Sequence, residues 1–121
     1  MSDTSCDPRV CVLLVDDDVP FRRALAIGLR LEGIEVLEAS SRTEALERLC
    51  ARTVTLALVN QYLAAEGGEE LLSEIGRTNP STRLVVVSCR PDLPSALAAA
   101  GRAVQLVKPV EPAQVLDLLA G

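Results

Sequence analysis

Three consecutive carboxylates, Asp16-Asp17-Asp18, follow the apolar run 10–15, and a Lys108-Pro109 pair follows the run 104–107. Two more apolar runs end on polar side chains, 56–59 on Asn60 and 84–87 on Ser88. Carboxylates are hard oxygen ligands suited to Mg2+, and a lysine beside a hydroxyl suits an anion such as a phosphoryl group. Gathered on one rim, these residues would make a cation and phosphoryl site. Asn60 is the odd member. A carboxylate oxygen can attack phosphorus and leave an acyl phosphate, whereas an amide is neutral, has its lone pair delocalised and is a poor nucleophile.

The elements that must position them alternate. Short runs rich in β-branched residues read as five strands, at 10–15, 34–37, 56–59, 84–87 and 104–107. Between them the spacing turns helical. In the first helix Phe21, Ala24, Leu25, Gly28 and Leu29 share a face, leaving Arg22, Arg23 and Arg30 as a solvated basic side. The second opens on the capping-box pattern Ser41-Arg42-Thr43-Glu44 and buries Ala45, Leu46, Leu49 and Cys50. A third, near 69–76, turns Leu71, Leu72 and Ile75 inward. An alanine-rich fourth covers 93–100, and a fifth starts near Pro112 with Val115, Leu116 and Leu119. Such alternation implies βαβ crossovers and a parallel sheet covered on both faces. The segment "IEVLEA" at 34–39 carries Glu35 and Glu38 and suits an edge. Chemistry in such sheets lies at the carboxyl ends of the strands, near the topological switch point.

Composition excludes several classes. The 121 residues fit one domain, residues 10–121 behind a 1–9 tail, and 49% hydrophobic content without a long apolar run predicts a soluble protein. "MSDTSCDPR" is not a signal peptide, so the expected location is cytoplasmic. With no histidine, the chain offers no imidazole base, His-ligated metal or phosphohistidine. A net charge of −5 and only two aromatic residues, Phe21 and Tyr62, argue against nucleic acid as a partner. Cys6, Cys11, Cys50 and Cys89 form no C-x-x-C pair and are expected to be free, the last three buried in or beside apolar segments.

From about Val10 to its end, the chain resembles the receiver domain of bacterial two-component response regulators. The resemblance rests on "LLVDDD", on Gly68 and Leu71 at eight and eleven residues past Asn60, on Ser88 and on Lys108-Pro109. It implies a flavodoxin-like (βα)5 doubly wound parallel sheet of strand order 2-1-3-4-5, a cis Lys108-Pro109 bond, and a role in phosphorelay signalling rather than as an enzyme. It equates Asp16 and Asp17 with an Mg2+-binding pair, Ser88 and Lys108 with phosphoryl contacts, and Asn60 with the phosphate-accepting aspartate. Gln105 stands where the family usually has an aromatic switch residue. Ala64 replaces a common proline, and Gln61 and Tyr62 crowd the loop with bulkier groups. Two carboxylates ~4 Å apart repel by about 4 kcal/mol at an effective dielectric of 20. An amide at position 60 therefore weakens the demand for a cation: no resident cofactor and at most feeble Mg2+ binding are expected. Lys108 is expected to pair with Asp17 or the Asn60 carbonyl.

The function these readings imply is a degenerate receiver, a phosphorylation-independent protein-interaction module. Its partner would be a protein, reached through the fourth helix, fifth strand and fifth helix, where 96–100 offers a small-residue face; a homodimer is the second form, and no nucleic acid or membrane is involved. One alternative is a working phosphorelay receiver with Asp18 or Ser88 as surrogate acceptor. Another is a laboratory exchange of aspartate for asparagine in an ordinary receiver, against which Gln61, Ala64 and Gln105 weigh. Plainer readings exist for single residues. The three acids also suit a helix N-terminus, which Asp18 serves in either case. Ser88 and Lys108 are also ordinary loop residues, and Tyr62 is either a partner anchor or a loop side chain. Gly67-Gly68 reads as a turn, since Glu66, Glu69 and Glu70 would repel an anion. A flavin or nucleotide site is disfavoured because "DDDVPF" is no phosphate loop. The sequence ends soon after the fifth helix and shows no effector domain; a stand-alone protein and a fragment both remain open.

Overall fold

The computed structural model describes residues 10–63, 67–90, 92 and 94–121. Its strands are β1 (Cys11–Val15), β2 (Glu35–Ala39), β3 (Leu56–Asn60), β4 (Arg83–Ser88) and β5 (Val104–Val107). The helices are α1 (Val19–Leu31), α2 (Arg42–Ala51), α3 (Gly68–Thr78), α4 (Ala96–Ala99) and α5 (Pro112–Ala120). All strand pairings are parallel, in the order β2-β1-β3-β4-β5, the flavodoxin-like topology.

The period-two alternation of the strands builds two cores. Leu13 and Val15 of β1 and Val59 of β3 join Ala45, Leu71, Leu72 and Ile75 on the face covered by α2 and α3. Val12, Leu14 and Leu58 join Leu25, Leu29 and Val115 on the face covered by α1 and α5. β1 and β3 are buried on both sides, and the candidate residues follow at their carboxyl ends.

Several boundaries differ from the sequence reading. β2 extends to Ala39, since β1 pairs with it along its whole length, up to Val15 against Ala39. α4 is a single turn rather than the expected 93–100: its N-cap is Ser95, which Pro94 precedes, and Gly101, at φ 75°, follows it in the left-handed region. Leu93 lies outside the described residues. The Ser41 hydroxyl caps α2 by accepting Glu44 N at 3.2 Å, but the Glu44 carboxylate reaches past Ser41 to Ser40 N at 2.8 Å.

Two surface expectations are corrected. Arg22, read as part of a solvated face, is 7% exposed. Its Nε donates to Glu38 Oε1 at 2.9 Å and its NH1 to the Asp16 carbonyl at 2.8 Å, acceptors from other elements that periodicity along α1 does not reveal. Among the described cysteines only Cys11 is buried. Cys50 lies on the outward side of α2 and Cys89 in the loop past β4, and both are exposed. Among the described residues no helix is long and apolar enough to cross a membrane.

Candidate functional site

β1 delivers Asp16 to the rim almost fully buried, 3% exposed. Its Oδ1 accepts the Asp18 amide at 2.9 Å, and its Oδ2 takes Lys108 Nζ at 2.9 Å. Burial raises the Asp16 pKa above the usual carboxylate value; the Asp18 amide and the Lys108 ammonium pull it back only in part. Lys108 is held from two sides. Its backbone N donates to the Ser88 carbonyl at 2.8 Å, and its Nζ lies 4.5 Å from the centroid of the Phe21 ring, a cation–π distance. The bond to Pro109 is cis. The expected partners of Lys108 are thus corrected: it pairs with Asp16, with Asp18 Oδ2 at 3.8 Å, and not with Asp17 or Asn60. The buried carboxylate needs the cation most, whereas Asp17 is exposed and solvated. Asp18 also caps α1, accepting Phe21 N at 3.2 Å.

Asn60 closes β3. Its Nδ2 donates to the Tyr62 carbonyl at 3.0 Å and to Asp17 Oδ1 at 3.4 Å. Gly68 abuts it so closely that a Cβ there would stand 1.7 Å from the Asn60 carbonyl oxygen. Ser88 is fully buried and committed to its own loop, donating to the Arg90 carbonyl at 3.1 Å and accepting Arg90 N at 2.9 Å. Asp16, Asp17, Asn60 and Lys108 therefore share one rim, with Ser88 beside them and turned to its loop. Gln105 lies apart from the rim, where its Oε1 accepts Ser95 N at 3.1 Å. Tyr62 is exposed, and Ala64 and Glu66 lie outside the described residues.

As arranged, these donors are turned to one another rather than to a metal cation. Both Asp16 oxygens are engaged, Asp17 accepts an amide N–H, and among the described residues no three acidic, thiol or imidazole side chains gather as a metal site. Sequence reasoning missed Phe21 as the platform for Lys108, although its place three residues past Asp18 was a usable signal. It also took Gln61 for a crowding loop residue, when the side chain is buried and donates to Glu69 Oε2 at 2.7 Å.

Five parallel strands in this order, with acids after the first and a lysine before a cis-proline after the fifth, define the class of CheY-like (βα)5 domains. Residues 12–120 match the response regulator receiver domain family. Among curated proteins, the chain is 31% identical over 102 residues to the transcriptional regulatory protein GlrR of Escherichia coli K12, covering 83% of this chain and 23% of that protein. It is 30% identical over 115 residues to the alginate biosynthesis transcriptional regulatory protein AlgB of Pseudomonas aeruginosa, covering 93% of this chain and 26% of that one. It thus spans about a quarter of the length of these relatives. Among solved structures, a CheY-like receiver domain protein from Methanospirillum hungatei superposes with a TM-score of 0.81 at 28% identity, covering 91% of this chain and 90% of that one. A Burkholderia pseudomallei response regulator with a phosphorylated aspartic acid, a calcium ion and citrate gives 0.78 at 26% identity, over 88% of this chain and 64% of its own. The chain belongs to the response regulator receiver domain family, a signalling module rather than an enzyme.

Proposed function

We propose that residues 10–121 are an atypical receiver unit, with 1–9 as a tail, that engages a protein partner without being phosphorylated. The observation that carries this reading is Asn60 itself, an amide at the position equated with the acceptor, its N–H groups given to the Tyr62 carbonyl and to Asp17. The Burkholderia relative holds its phosphoryl group on an aspartic acid, and an amide cannot form that acyl phosphate. Three further features agree. Asp16 and Lys108, remnants of a cation ligand and a phosphoryl contact, satisfy each other. Ser88 Oγ is spent on its own loop, and Gln105 is tied to Ser95 where an aromatic switch would need freedom to turn. The partner surface in this reading is α4, β5 and α5, where Val104 and Val107 are exposed, and a homodimer through the same face is its second form.

A second reading has one observation in its favour: Asp18, exposed, places a carboxylate oxygen 3.8 Å from Lys108 Nζ and would be the surrogate acceptor. Incubation with acetyl phosphate and Mg2+, read by intact mass and peptide mapping, separates the readings. Wild type is expected to stay unlabelled and Asn60→Asp to take up one phosphoryl group. Label on wild type at Asp18 would establish the second reading and overturn the first.

A further inference from the structure

α4 is only one turn long, yet its first amides are held from outside the helix. Glu69, in the first turn of α3, turns one carboxylate oxygen toward it: Oε1 accepts Ser95 Oγ at 2.9 Å, Ala96 N at 3.0 Å and Leu97 N at 3.4 Å. The other oxygen, Oε2, accepts Gln61 Nε2 at 2.7 Å. From β5, Gln105 Oε1 accepts the Ser95 amide at 3.1 Å, while Ser95 Oγ accepts Ala98 N at 3.2 Å. Ser95 is fully buried and Gln61 nearly so. A continuous polar chain therefore runs from the residue after Asn60, through α3 and the start of α4, to the middle of β5.

The types matter. A carboxylate is an acceptor only, and here it meets N–H and O–H donors from two elements at once, bonds that are shorter and stronger than neutral ones. Burial raises the Glu69 carboxyl, but the bonds from Gln61, Ser95, Leu97 and Ala96 bring it below its ordinary value. The Gln105 carbonyl accepts a backbone N–H, which a phenylalanine could not do.

We propose that Glu69 is a latch that fixes the first turn of α4 to α3, with Gln61 and Gln105 as its positioning residues, so that the α4–β5 face keeps one arrangement whatever happens at Asn60. The latch deepens the phosphorylation-independent reading and rests on it for its use: a face that answers to no phosphoryl group has to be held ready by the fold. For α4 to move, its bonds to α3 and to β5 have to break together.

Amide exchange read by NMR, with no phosphodonor or metal present, tests it. In Glu69→Ala, Ala96 and Leu97 are expected to exchange about tenfold faster, while β1 and β3 amides keep their wild-type rates. In Gln105→Ala the Ser95 amide is expected to lose protection alone. Unchanged exchange at Ser95, Ala96 and Leu97 in the folded variants overturns the latch. Should Glu69→Ala not fold, Gln105→Ala, which removes a single neutral acceptor, decides by the same criterion at Ser95. Labelling of wild type by acetyl phosphate would overturn the functional reading and leave this measurement standing, so the two failures are distinguishable.

Discussion

Asp16 is a carboxylate that folding takes out of water, and the Asp18 amide and Lys108 together make that tolerable. Its raised pKa means that the fold binds a proton more tightly than the unfolded chain does. The stability linked to Asp16 is therefore fully present below the ordinary aspartate pKa and is lost as pH rises through the raised value. Lys108→Ala removes the ammonium 2.9 Å away, which raises the Asp16 pKa further and strands the ionised form. The variant is expected to lose about 2 kcal/mol at neutral pH, with the deficit closing toward about pH 4 as Asp16 protonates. Urea melts at the two pH values check this; a deficit independent of pH would mean that Lys108 acts by packing on Phe21 instead. That these residues meet on one rim was legible in the sequence because each candidate follows an apolar run. Which acid Lys108 would choose was not, since that depends on which carboxylate is buried, a property of the assembled loops. Arg22 failed for the same reason: its acceptors, Glu38 and the Asp16 carbonyl, lie outside its own helix.

Between elements, the closest approach near the site is that of α3 to the end of β3. Gly67 turns the chain at φ 71°, in the left-handed region, and Gly68 then starts α3 against the Asn60 carbonyl, its own N–H donating to the Gln61 carbonyl at 3.1 Å. A methyl group at Gly68 would meet backbone rather than a side chain that can turn away. Gly68→Ala is expected to cost at least about 3 kcal/mol, or to displace α3 and the Asn60 loop together. A melt combined with amide shifts of Asn60 and Gln61 distinguishes the two, and a variant of wild-type stability and shifts would show that the approach is looser than the structure has it. The four crossovers and the parallel sheet were readable because strand and helical spacings alternate without interruption, whereas the strand order came only with the receiver resemblance. The extent of α4 was not, because an alanine-rich run carries helix propensity but no information on where Ser95 and Gly101 stop it. The capping pattern at Ser41 was readable in type, while the slip of Glu44 to the Ser40 amide is a matter of loop geometry.

Across the whole molecule, acid unfolding follows from which carboxylates the fold holds ionised. Glu38, on the edge strand β2, is ringed by arginines of α1: Arg22 Nε at 2.9 Å, Arg23 Nε at 3.6 Å and Arg30 NH1 at 3.1 Å. Burial pushes its carboxyl up, but the bonds from Arg22 and Arg30 outweigh that and leave its pKa below the ordinary glutamate value. Glu69 is lowered in the same way by its donors around α4. Their sign is opposite to that of Asp16: the stability they contribute is present above the ordinary glutamate pKa and is lost as pH falls through the lowered value. The two effects act over different ranges, Asp16 weakening the fold as pH rises above the ordinary aspartate value, Glu38 and Glu69 as it falls below the ordinary glutamate value. Acid also reverses the net charge: neutralising the 17 acidic residues leaves 12 lysines and arginines to repel one another. Glu38→Gln should separate the local from the global contribution. It keeps the shape of the side chain but leaves the buried Arg22 without its anion. We expect it to cost about 2 kcal/mol at neutral pH, the difference from wild type shrinking as pH falls from about 5 toward about 3. Thermal melts across that range measure it. A difference that holds constant with pH would place the value of Glu38 in neutral hydrogen bonding, and the acid sensitivity of the protein would then rest on Glu69 and on charge repulsion.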